Sequence, residues 1–321
     1  MTQKNSYLWN EGRALDIPLF STDFFCSRLD VRVPLALRRF VREFRPQVVH
    51  AHGGRAGFFH ALARTSVPTV YTVHSYHFLH KSPLVRSLAL RAERLTAFSA
   101  QRTIFVSGHD MQVARVRRLL TYPERGVVIY NGVPLAEIPR AQPDVPRHVG
   151  FMGRLVEQKD PFLFLETIEH LPKYTATIVG GGALEAEVKA EIKRRGLARV
   201  RMLGALPHQA TLKQLSKLGA LVVTSRWEGL PMLVLEAMWS GVPVVAVNVG
   251  GLGEIIENGK SGILVNVRSG ADLAQEVVRL DEDAALRARV VEESRNRVRQ
   301  MFSEERMLRE ILKVYENTAA Q

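Results

Sequence analysis

The sequence predicts an α/β protein built from two doubly wound parallel sheets. Short β-rich segments that end in Gly, Ser or His alternate with helical segments along most of the chain. Residues 134–147, "PLAEIPRAQPDVPR", interrupt this alternation with four prolines and little periodicity, which excludes a helix interior or a central strand. With 321 residues, 46% of them hydrophobic, the chain is long enough for two cores. We therefore expect two units and a linker.

The first half contains four strand candidates, which are short, apolar and bounded by Gly, Pro or Ser, as buried parallel strands are. They are residues 46–53, 67–75, 102–108 and 126–133. Helical stretches lie between them, at residues 35–44 and 83–100. A further helix is predicted to begin at Ser107, with Asp110 three positions later as in a capping box.

The second half repeats the alternation with six strand candidates. They are residues 148–153, 175–182, 200–206, 220–225, 242–248 and 262–266, and a helical tail covers 270–321. Strand–helix alternation with Gly-rich strand ends indicates a second parallel sheet. The predicted boundaries are a first domain at 1–138, a linker at 139–147, a second domain at 148–302, and a C-terminal helix at 303–321 that packs back toward the first domain.

Composition excludes several classes of protein. Cys26 is the only cysteine, so a disulfide framework and a cysteine metal cluster are excluded. No apolar run approaches the roughly 20 residues of a membrane-spanning helix, and the N-terminus lacks the pattern of a secretory signal. We expect a soluble or peripheral protein of the cytoplasm.

Positive charge is concentrated in the first half of the chain. Residues 1–140 hold 20 Lys and Arg against 9 Asp and Glu, out of a net charge of +12. Such a field favours an anionic membrane surface or an acidic ligand, and the alternative is a basic surface that serves solubility alone. No aromatic-rich platform or known reading motif supports nucleic-acid binding.

The segment "SRWEGLPMLVLEAMWSGVPVV" follows a predicted strand and places two carboxylates, Glu228 and Glu236, around a helix start. Pro231 suits the first turn of that helix, and the amides of Gly229 and Leu230 can then hold a phosphate. Carboxylates accept hydrogen bonds from hydroxyls. The order hydroxyl acceptor, phosphate-binding amides, hydroxyl acceptor matches the sugar, diphosphate and ribose of a nucleotide-sugar. The alternative is that both glutamates only favour the helix N-terminus through its dipole.

Together with "GFMGRLVEQKDP", "VGGG", "YNGV" and "VHAHGGRAG…YTVHSYHF", this segment resembles the retaining glycosyltransferase family 4. The resemblance covers about residues 30–318. It implies the GT-B fold, in which two Rossmann-like domains face a cleft, and the activity of a hexosyltransferase. It also implies that Glu228 binds donor-sugar hydroxyls and that Glu236 binds the ribose.

The same resemblance assigns the diphosphate to Arg154 and Lys159, just beyond Gly153. Arg suits bidentate phosphate contacts and Lys acts as a point charge, so a metal is not required and we expect no metal and no cofactor. The alternative for both residues is a solvated loop. The "DED" at 281–283 matches a metal-binding pattern, but acids there favour a helix N-terminus instead.

Histidines follow two strands of the predicted first sheet. His74 ends one strand, and the resemblance assigns it a contact with the donor sugar near the reacting carbon; the alternative is a structural histidine. His52, Gly53 and Gly54 follow the preceding strand and are predicted to line the acceptor side. We take His74 and Glu228 as the catalytic candidates.

The first domain departs from the family pattern. Relatives open with a strand and a Gly-rich loop, whereas no Gly-Gly loop follows a strand here before residue 50. The first sheet is therefore expected to be N-terminally truncated, with four strands and an exposed edge, and activity is in question. The alternative function is a catalytically impaired relative that binds sugar-nucleotides or carbohydrate.

The leading prediction is sugar transfer, with retention, from a UDP- or GDP-linked donor to a saccharide or lipid-linked acceptor in surface polysaccharide or glycolipid synthesis. A helix near residue 90 carries Leu84, Leu88, Leu95 and Ser99 on one face with arginines beside it. This pattern favours docking at the inner face of the cytoplasmic membrane. The alternative is that the helix packs on the sheet with its arginines outward.

Overall fold

The computed structural model describes residues 7–21, 30–141 and 147–320. The chain divides into two compact units. Unit 1 comprises Met1–Ile129 with Glu310–Gln321, and unit 2 comprises Tyr130–Arg309. In the described part of the chain, no helix combines the length and the apolar composition needed to cross a membrane.

Unit 1 contains a four-stranded parallel sheet in the order β1-β2-β3-β4. Its elements are α1 (Tyr7–Ala14), α2 (Arg32–Phe44), β1 (Val49–His52), α3 (Gly53–Ala63), β2 (Thr69–Val73), α4 (Pro83–Ser99), β3 (Arg102–Phe105), α5 (Gly108–Val116) and β4 (Gly126–Val128), with 3-10 turns at His77–His80 and Pro123–Arg125. Each strand lies inside a segment predicted to form one. The four-stranded first sheet is thus confirmed for the described residues.

The core of unit 1 is centred on β2, all of whose residues are buried. Tyr71 and Phe105 are almost fully enclosed in this core, and a second cluster joins Leu37 and Val41 of α2 to Ala63 of α3. At α5, Ser107 accepts a hydrogen bond from the backbone amide of Asp110 at 3.0 Å. The predicted N-cap is therefore confirmed.

Unit 2 contains a six-stranded parallel sheet in the order β10-β9-β8-β5-β6-β7. Its elements are β5 (His148–Met152), α6 (Pro161–Glu169), β6 (Thr175–Val179), α7 (Glu185–Arg194), β7 (Val200–Met202), α8 (His208–Leu215), β8 (Ala220–Val223), α9 (Met232–Ser240), β9 (Val244–Val247), α10 (Leu252–Ile255), β10 (Ile263–Val265), α11 (Gly270–Glu282) and α12 (Ala284–Met301). The six predicted strands are confirmed, and with them the doubly wound α/β class.

The strand order reverses beside β5. The chain runs from β5 outward through β6 to β7, then crosses to the other side of β5 for β8, β9 and β10. Helix α9 packs deeply beside this point, because Val234 through Ser240 are all buried. Beyond Met232 and Leu233 at its start, the helix is therefore enclosed by the rest of unit 2.

The division between the units lies after Ile129, upstream of the predicted linker at 139–147. The reason is that the chain after Ile129 is hydrogen-bonded onto unit 2. Trp239 Nε1 donates to the Leu135 carbonyl at 2.7 Å, and Ser240 Oγ donates to the Pro139 carbonyl at 2.6 Å. Residues 142–146 of the predicted linker lie outside the described residues.

The last helix, α13 (Glu304–Ala319), closely matches the predicted segment 303–321. Its N-terminal turns belong to unit 2, whereas its residues from Glu310 onward group with unit 1. Phe302, just before α13, is fully buried and accepts a hydrogen bond from the Val133 amide at 2.9 Å. The start of the helix is therefore anchored in unit 2.

Candidate functional site

Two loops meet at the point where the strand order of the unit 2 sheet reverses. One loop follows β5 and contains Arg154 and Lys159; the other follows β8 and contains Glu228. In open α/β sheets, ligands bind in the crevice outside the carboxyl ends of the strands at such a point. The fold therefore brings the predicted donor-binding residues to the place where it favours a ligand.

The carboxylate of Glu228 is held by two donors. Lys159 Nζ forms an ion pair with Oε1, and Ser225 Oγ donates to the same oxygen at 2.5 Å. The Glu228 side chain is only 5% exposed, and a buried carboxylate without partners would be costly. A cation and a carboxylate thus lie adjacent, one from each loop.

Backbone and amide hydrogen bonds tie the two loops together. The Arg226 amide donates to the Gln158 carbonyl at 2.7 Å, and Gln158 Nε2 donates to the Trp227 carbonyl at 3.1 Å. Thr224 Oγ1 donates to the carbonyl of Lys159 at 2.9 Å. The relative position of the cation and the carboxylate is therefore set by the backbone, not by the two side chains alone.

Asp160 adds a second, ionic connection that the sequence reasoning missed. Its carboxylate accepts from Arg268 Nη2 at 2.6 Å and pairs with Arg226 Nη2 at 3.0 Å, while its other oxygen caps α6 through the Leu163 amide at 3.3 Å. Asp160 has φ +46°, a left-handed conformation that is strained for most residues but tolerated by Asp. The only signal in the sequence is the Asp-Pro pair that opens α6.

Glycines allow the loops around β5 to approach one another. A Cβ on Gly180 would lie 1.8 Å from the Gly153 carbonyl oxygen, and one on Gly250 would lie 1.9 Å from that of Glu228. Gly180 has φ +143° and Gly250 has φ +55°, which also favour glycine. The "VGGG" motif thus has a packing role beside the site.

Helix α9 begins one residue later than predicted. Pro231 occupies the N-cap with φ −72° and ψ 117°, so the first helical residue is Met232. The extended ψ of Pro231 is incompatible with a helical first position, although its fixed φ still suits the entry to the helix. Gly229 and Leu230, which precede it, are buried.

Glu236 lies just over one turn along α9, with its side chain 7% exposed. Its Oε1 is 3.4 Å from Nε2 of His208, the first residue of α8. Burial raises the pKa of the Glu236 carboxyl, and the nearby His208 acts in the opposite direction. His208 is a second residue beside the site that sequence reasoning did not identify.

In unit 1, the predicted histidines also lie together. His52 ends β1 and His74 directly follows β2, and His52 Nδ1 is 3.2 Å from His74 Nε2. Burial, reinforced by the charge of His52, lowers the pKa of His74 to about 4. At neutral pH the imidazoles of His52 and His74 are therefore uncharged.

The two glycines that follow His52 lie beside these imidazoles in sequence. Gly53 begins α3 with φ +78°, and a Cβ on Gly54 would lie 3.2 Å from Glu93 Oε2.

The acidic triplet at 281–283 is divided between two helices. Asp281 accepts from the Tyr174 hydroxyl at 2.9 Å, and Asp283 caps α12 by accepting from the Leu286 amide at 2.9 Å. Among the residues that the structure describes, no group of three His, Cys, Asp or Glu side chains could hold a metal ion. The triplet is thus used for local structure.

Two family models match the chain. The model "Glycosyl transferases group 1" matches residues 138–297, and the model "Glycosyl transferase 4-like domain" matches residues 9–132. Between them they cover most of the chain, one on each half. The chain belongs to the group 1 glycosyl transferases.

Two relatives of this glycosyl transferase illustrate the range of similarity. An uncharacterized glycosyltransferase of Methanocaldococcus jannaschii is 31% identical over 192 residues, which are 60% of this chain and 54% of that protein. The Escherichia coli UDP-Gal:alpha-D-GlcNAc-diphosphoundecaprenol alpha-1,3-galactosyltransferase is 25% identical over 305 residues, which are 87% of this chain and 78% of that enzyme. The match thus spans about half the length of the first relative.

Solved structures resemble the glycosyl transferase over most of its length. Anabaena HepE, in complex with UDP and glucose, gives a TM-score of 0.82 at 22% identity, covering 96% of this chain and 88% of that one. Sucrose-phosphate synthase from Thermosynechococcus elongatus gives 0.81 at 21% identity, covering 89% and 77%. These likenesses confirm the predicted GT-B fold.

The structure gathers the candidate residues of this glycosyl transferase into two groups, one in each unit. The unit 2 group is Gly153, Arg154, Lys159, Glu228, Gly229, Leu230, Pro231 and Glu236, and the unit 1 group is His52, Gly53, Gly54 and His74. Sequence reasoning missed Ser225, Asp160, Arg268 and His208. Asp160, Arg268 and His208 have partners that are distant in sequence, whereas Ser225 lies only three residues before Glu228 and nothing in the sequence marks its hydroxyl as a donor to that carboxylate.

Proposed function

We propose that the protein transfers a hexose, with retention of anomeric configuration, from a UDP- or GDP-linked donor to a saccharide or lipid-linked acceptor. The observation that carries the proposal is the adjacent pair of Lys159 and buried Glu228 at the sheet's reversal point. In a nucleotide-sugar, a phosphate is bonded directly to a ring that carries hydroxyls. A cation can bind that phosphate while the adjacent carboxylate accepts hydrogen bonds from the hydroxyls of the ring.

The rest of the donor extends from this pair. Arg154, from the same loop as Lys159, supplies a second positive charge for the diphosphate, and Gly229 and Leu230, just before α9, supply backbone amides, whereas Pro231 has no N–H to donate. Glu236, further along α9, accepts the ribose hydroxyls. The names of the relatives support this class of donor, because the E. coli enzyme uses UDP-Gal and HepE is in complex with UDP and glucose.

The proposed reaction needs no protein nucleophile. The bond between the anomeric carbon and the leaving phosphate oxygen breaks, and the acceptor hydroxyl oxygen bonds to the same face of that carbon. The acceptor's proton passes to the leaving phosphate. Arg154 and Lys159 stabilise the charge that develops on the diphosphate, which is the role a metal would otherwise have.

Unit 1 is proposed to bind the acceptor, with His52, Gly53 and Gly54 along its acceptor side and His74 near the reacting carbon. A neutral imidazole can donate from one nitrogen and accept at the other, so it suits a sugar hydroxyl. The lowered pKa of His74 keeps it in this form at neutral pH.

We also propose that unit 1 docks on an anionic membrane surface at the cytoplasmic face. Leu84 is 73% exposed on α4, and Leu88 and Leu95 are 56% and 41% exposed, whereas the buried face of the same helix carries Glu93 and Ala97. The exposed leucines support docking, although Arg91 and Arg94 are also exposed, as the alternative of a helix packed with its arginines outward requires. Lipid-linked acceptors would be reached from such a surface.

Two glutamate variants and a panel of UDP- and GDP-sugars test the proposed donor site. Glu236→Ala should weaken nucleotide-sugar binding by about tenfold to a hundredfold through lost hydroxyl contacts. Glu228→Gln, which keeps the shape of the side chain, should reduce turnover with a smaller effect on the binding of free nucleotide. Titration calorimetry and a radiolabelled transfer assay give both quantities, and NMR of the product gives the anomer.

Three outcomes decide the proposal. Normal transfer by both variants would contradict the site assignment. An inverted anomer in the product would contradict retention. Donor binding without transfer to any saccharide or lipid-linked acceptor would favour the binding protein described above as the alternative.

A further inference from the structure

Tyr315, on the part of α13 that belongs to unit 1, contacts the histidines at the carboxyl end of the unit 1 sheet. Its hydroxyl lies 2.5 Å from His50 Nδ1, and its ring meets the His50 ring edge-on at a centroid distance of 5.4 Å. Burial raises the pKa of Tyr315, so the hydroxyl keeps its proton and can donate. A residue near the C-terminus thus contacts the first strand of the sheet.

His50 uses both of its ring nitrogens. Nε2 lies 2.7 Å from Thr72 Oγ1 on the neighbouring strand, while Nδ1 meets Tyr315. Burial, together with the charges of His52 and His74, lowers the pKa of His50 to about 3. A neutral imidazole has one N–H and one lone pair, so its two hydroxyl partners satisfy it fully and fix the plane of its ring.

Ring contacts link His50 to His52 and His74. His50 and His52 lie two residues apart on β1, so their side chains share one face of the strand. Their ring centroids are 4.0 Å apart, and His52 Nδ1 is in turn 3.2 Å from His74 Nε2. Four side chains therefore form a continuous series from Tyr315 to His74.

We propose that Tyr315 is a positioning residue for sugar transfer, which acts through His50 and His52 to fix the orientation of the His74 imidazole. The inference rests on the proposed function, in which His74 contacts the donor sugar. Without the Tyr315 hydroxyl, one nitrogen of His50 loses its partner and the ring can rotate. Rotation of the His50 ring then changes the position of the His52 ring, and His52, which stacks on His74, no longer fixes the orientation of the His74 imidazole.

Tyr315→Phe tests the inference because it removes one hydroxyl and keeps the ring that packs against His50. Histidine ring-nitrogen NMR of the full-length protein should show changed signals for His50 and for His74. The turnover number should fall about threefold to tenfold, as expected for one hydrogen bond that orders a reacting group, while the KM for the donor stays unchanged. Tyr174→Phe is the matched control, since it also removes a hydrogen-bonded hydroxyl, from Asp281 in unit 2.

A double variant separates positioning from general stability. In a His74→Ala background, Tyr315→Phe should cause no further loss of turnover, because the group that it orders is gone. A full additional loss would overturn the inference.

The NMR and the kinetics together separate this inference from the proposed function. Unchanged His74 ring signals in Tyr315→Phe would overturn the positioning role whether or not the protein transfers sugar. Changed His74 signals with an unaltered turnover number would overturn both the role of Tyr315 in transfer and the sugar contact proposed for His74. Changed signals with reduced turnover and normal Tyr174→Phe kinetics support the inference.

Discussion

Residues of opposite charge are adjacent at the proposed donor site, and the burial of each side chain limits what it can contact. Glu228 is nearly enclosed, whereas the Lys159 side chain is 22% exposed. A partly exposed ammonium can reach a ligand phosphate, while the enclosed carboxylate keeps its place through Ser225. The pair thus combines a partly exposed cation with an enclosed acceptor.

Arg154 and Lys159 are proposed to bind the diphosphate, and their replacement tests this role. Arg154→Gln with Lys159→Gln should weaken the binding of UDP or GDP by about a hundredfold, because two charge-assisted hydrogen bonds are lost. Nucleoside binding should be unaffected. Titration calorimetry with nucleoside diphosphates and nucleosides measures both affinities.

The control for that prediction removes two other positive charges of unit 2, at exposed positions. Arg201→Gln with Lys217→Gln lowers the net charge by the same amount, away from the two loops. Equal loss of nucleotide affinity in both double variants would indicate a general field effect and contradict a specific diphosphate site.

Helix α6 and the loop before it depend on Asp160, which caps the helix and holds two arginines. Asp160→Asn keeps a side chain that can cap α6 and that tolerates the left-handed conformation. It removes the negative charge that Arg226 and Arg268 share. The change therefore isolates the ionic contact between the two loops.

We predict that Asp160→Asn lowers the free energy of unfolding by about 1–2 kcal/mol, since both arginines are partly exposed and their contribution is screened. Donor affinity should fall with it, because the loops lose a connection. Urea denaturation and calorimetry measure the two effects. Asp272→Asn, in the first turn of α11, is the control. It should change the free energy of unfolding and the free energy of donor binding by no more than a few tenths of a kcal/mol.

Normal donor affinity in Asp160→Asn would show that backbone hydrogen bonds alone position the two loops.

Helix α4 presents leucines to solvent, and their replacement tests the docking proposal. Leu84→Gln with Leu88→Gln should reduce binding to vesicles that contain phosphatidylglycerol by about tenfold or more, since each leucine contributes roughly 1.5–3 kcal/mol when buried. The free energy of unfolding should not change, because both side chains are already exposed. Vesicle co-sedimentation measures the binding.

Leu308→Gln with Leu312→Gln is the matched control, since these leucines are also exposed and four residues apart, on α13. If both double variants lose vesicle binding equally, the surface on α4 is not the docking site. If neither loses it, charge alone accounts for any binding.

Positive charge on the protein can replace a metal ion in stabilising the leaving diphosphate. The chain carries a net charge of +12, and Arg154 and Lys159 supply positive charge where the diphosphate is proposed to bind. We expect sugar transfer to proceed at an unaltered rate in excess EDTA. Loss of transfer in EDTA with recovery on adding Mg²⁺ or Mn²⁺ would contradict the proposed metal-free reaction.

Much of the fold and part of the site followed from local patterns. Ten strand segments and the Ser107 cap were predicted correctly, because strand bounds and caps depend on residues close together in sequence. The division after Ile129 is not apparent from local patterns, because the chain after Ile129 is held by hydrogen bonds to α9, more than 90 residues further on. Proline content alone does not reveal such contacts.

The sequence by itself determined the α/β class, the family, and the types of residue at the candidate site, because periodicity and motif spacing are local properties. Only the tertiary structure decided which side chains meet. Lys159 and Glu228 are 69 residues apart, Asp160 and Arg268 are 108 apart, and His50 and Tyr315 are 265 apart. Such pairs form when the order of strands in a sheet brings loop ends and helices together, and strand order arises from packing of the whole chain.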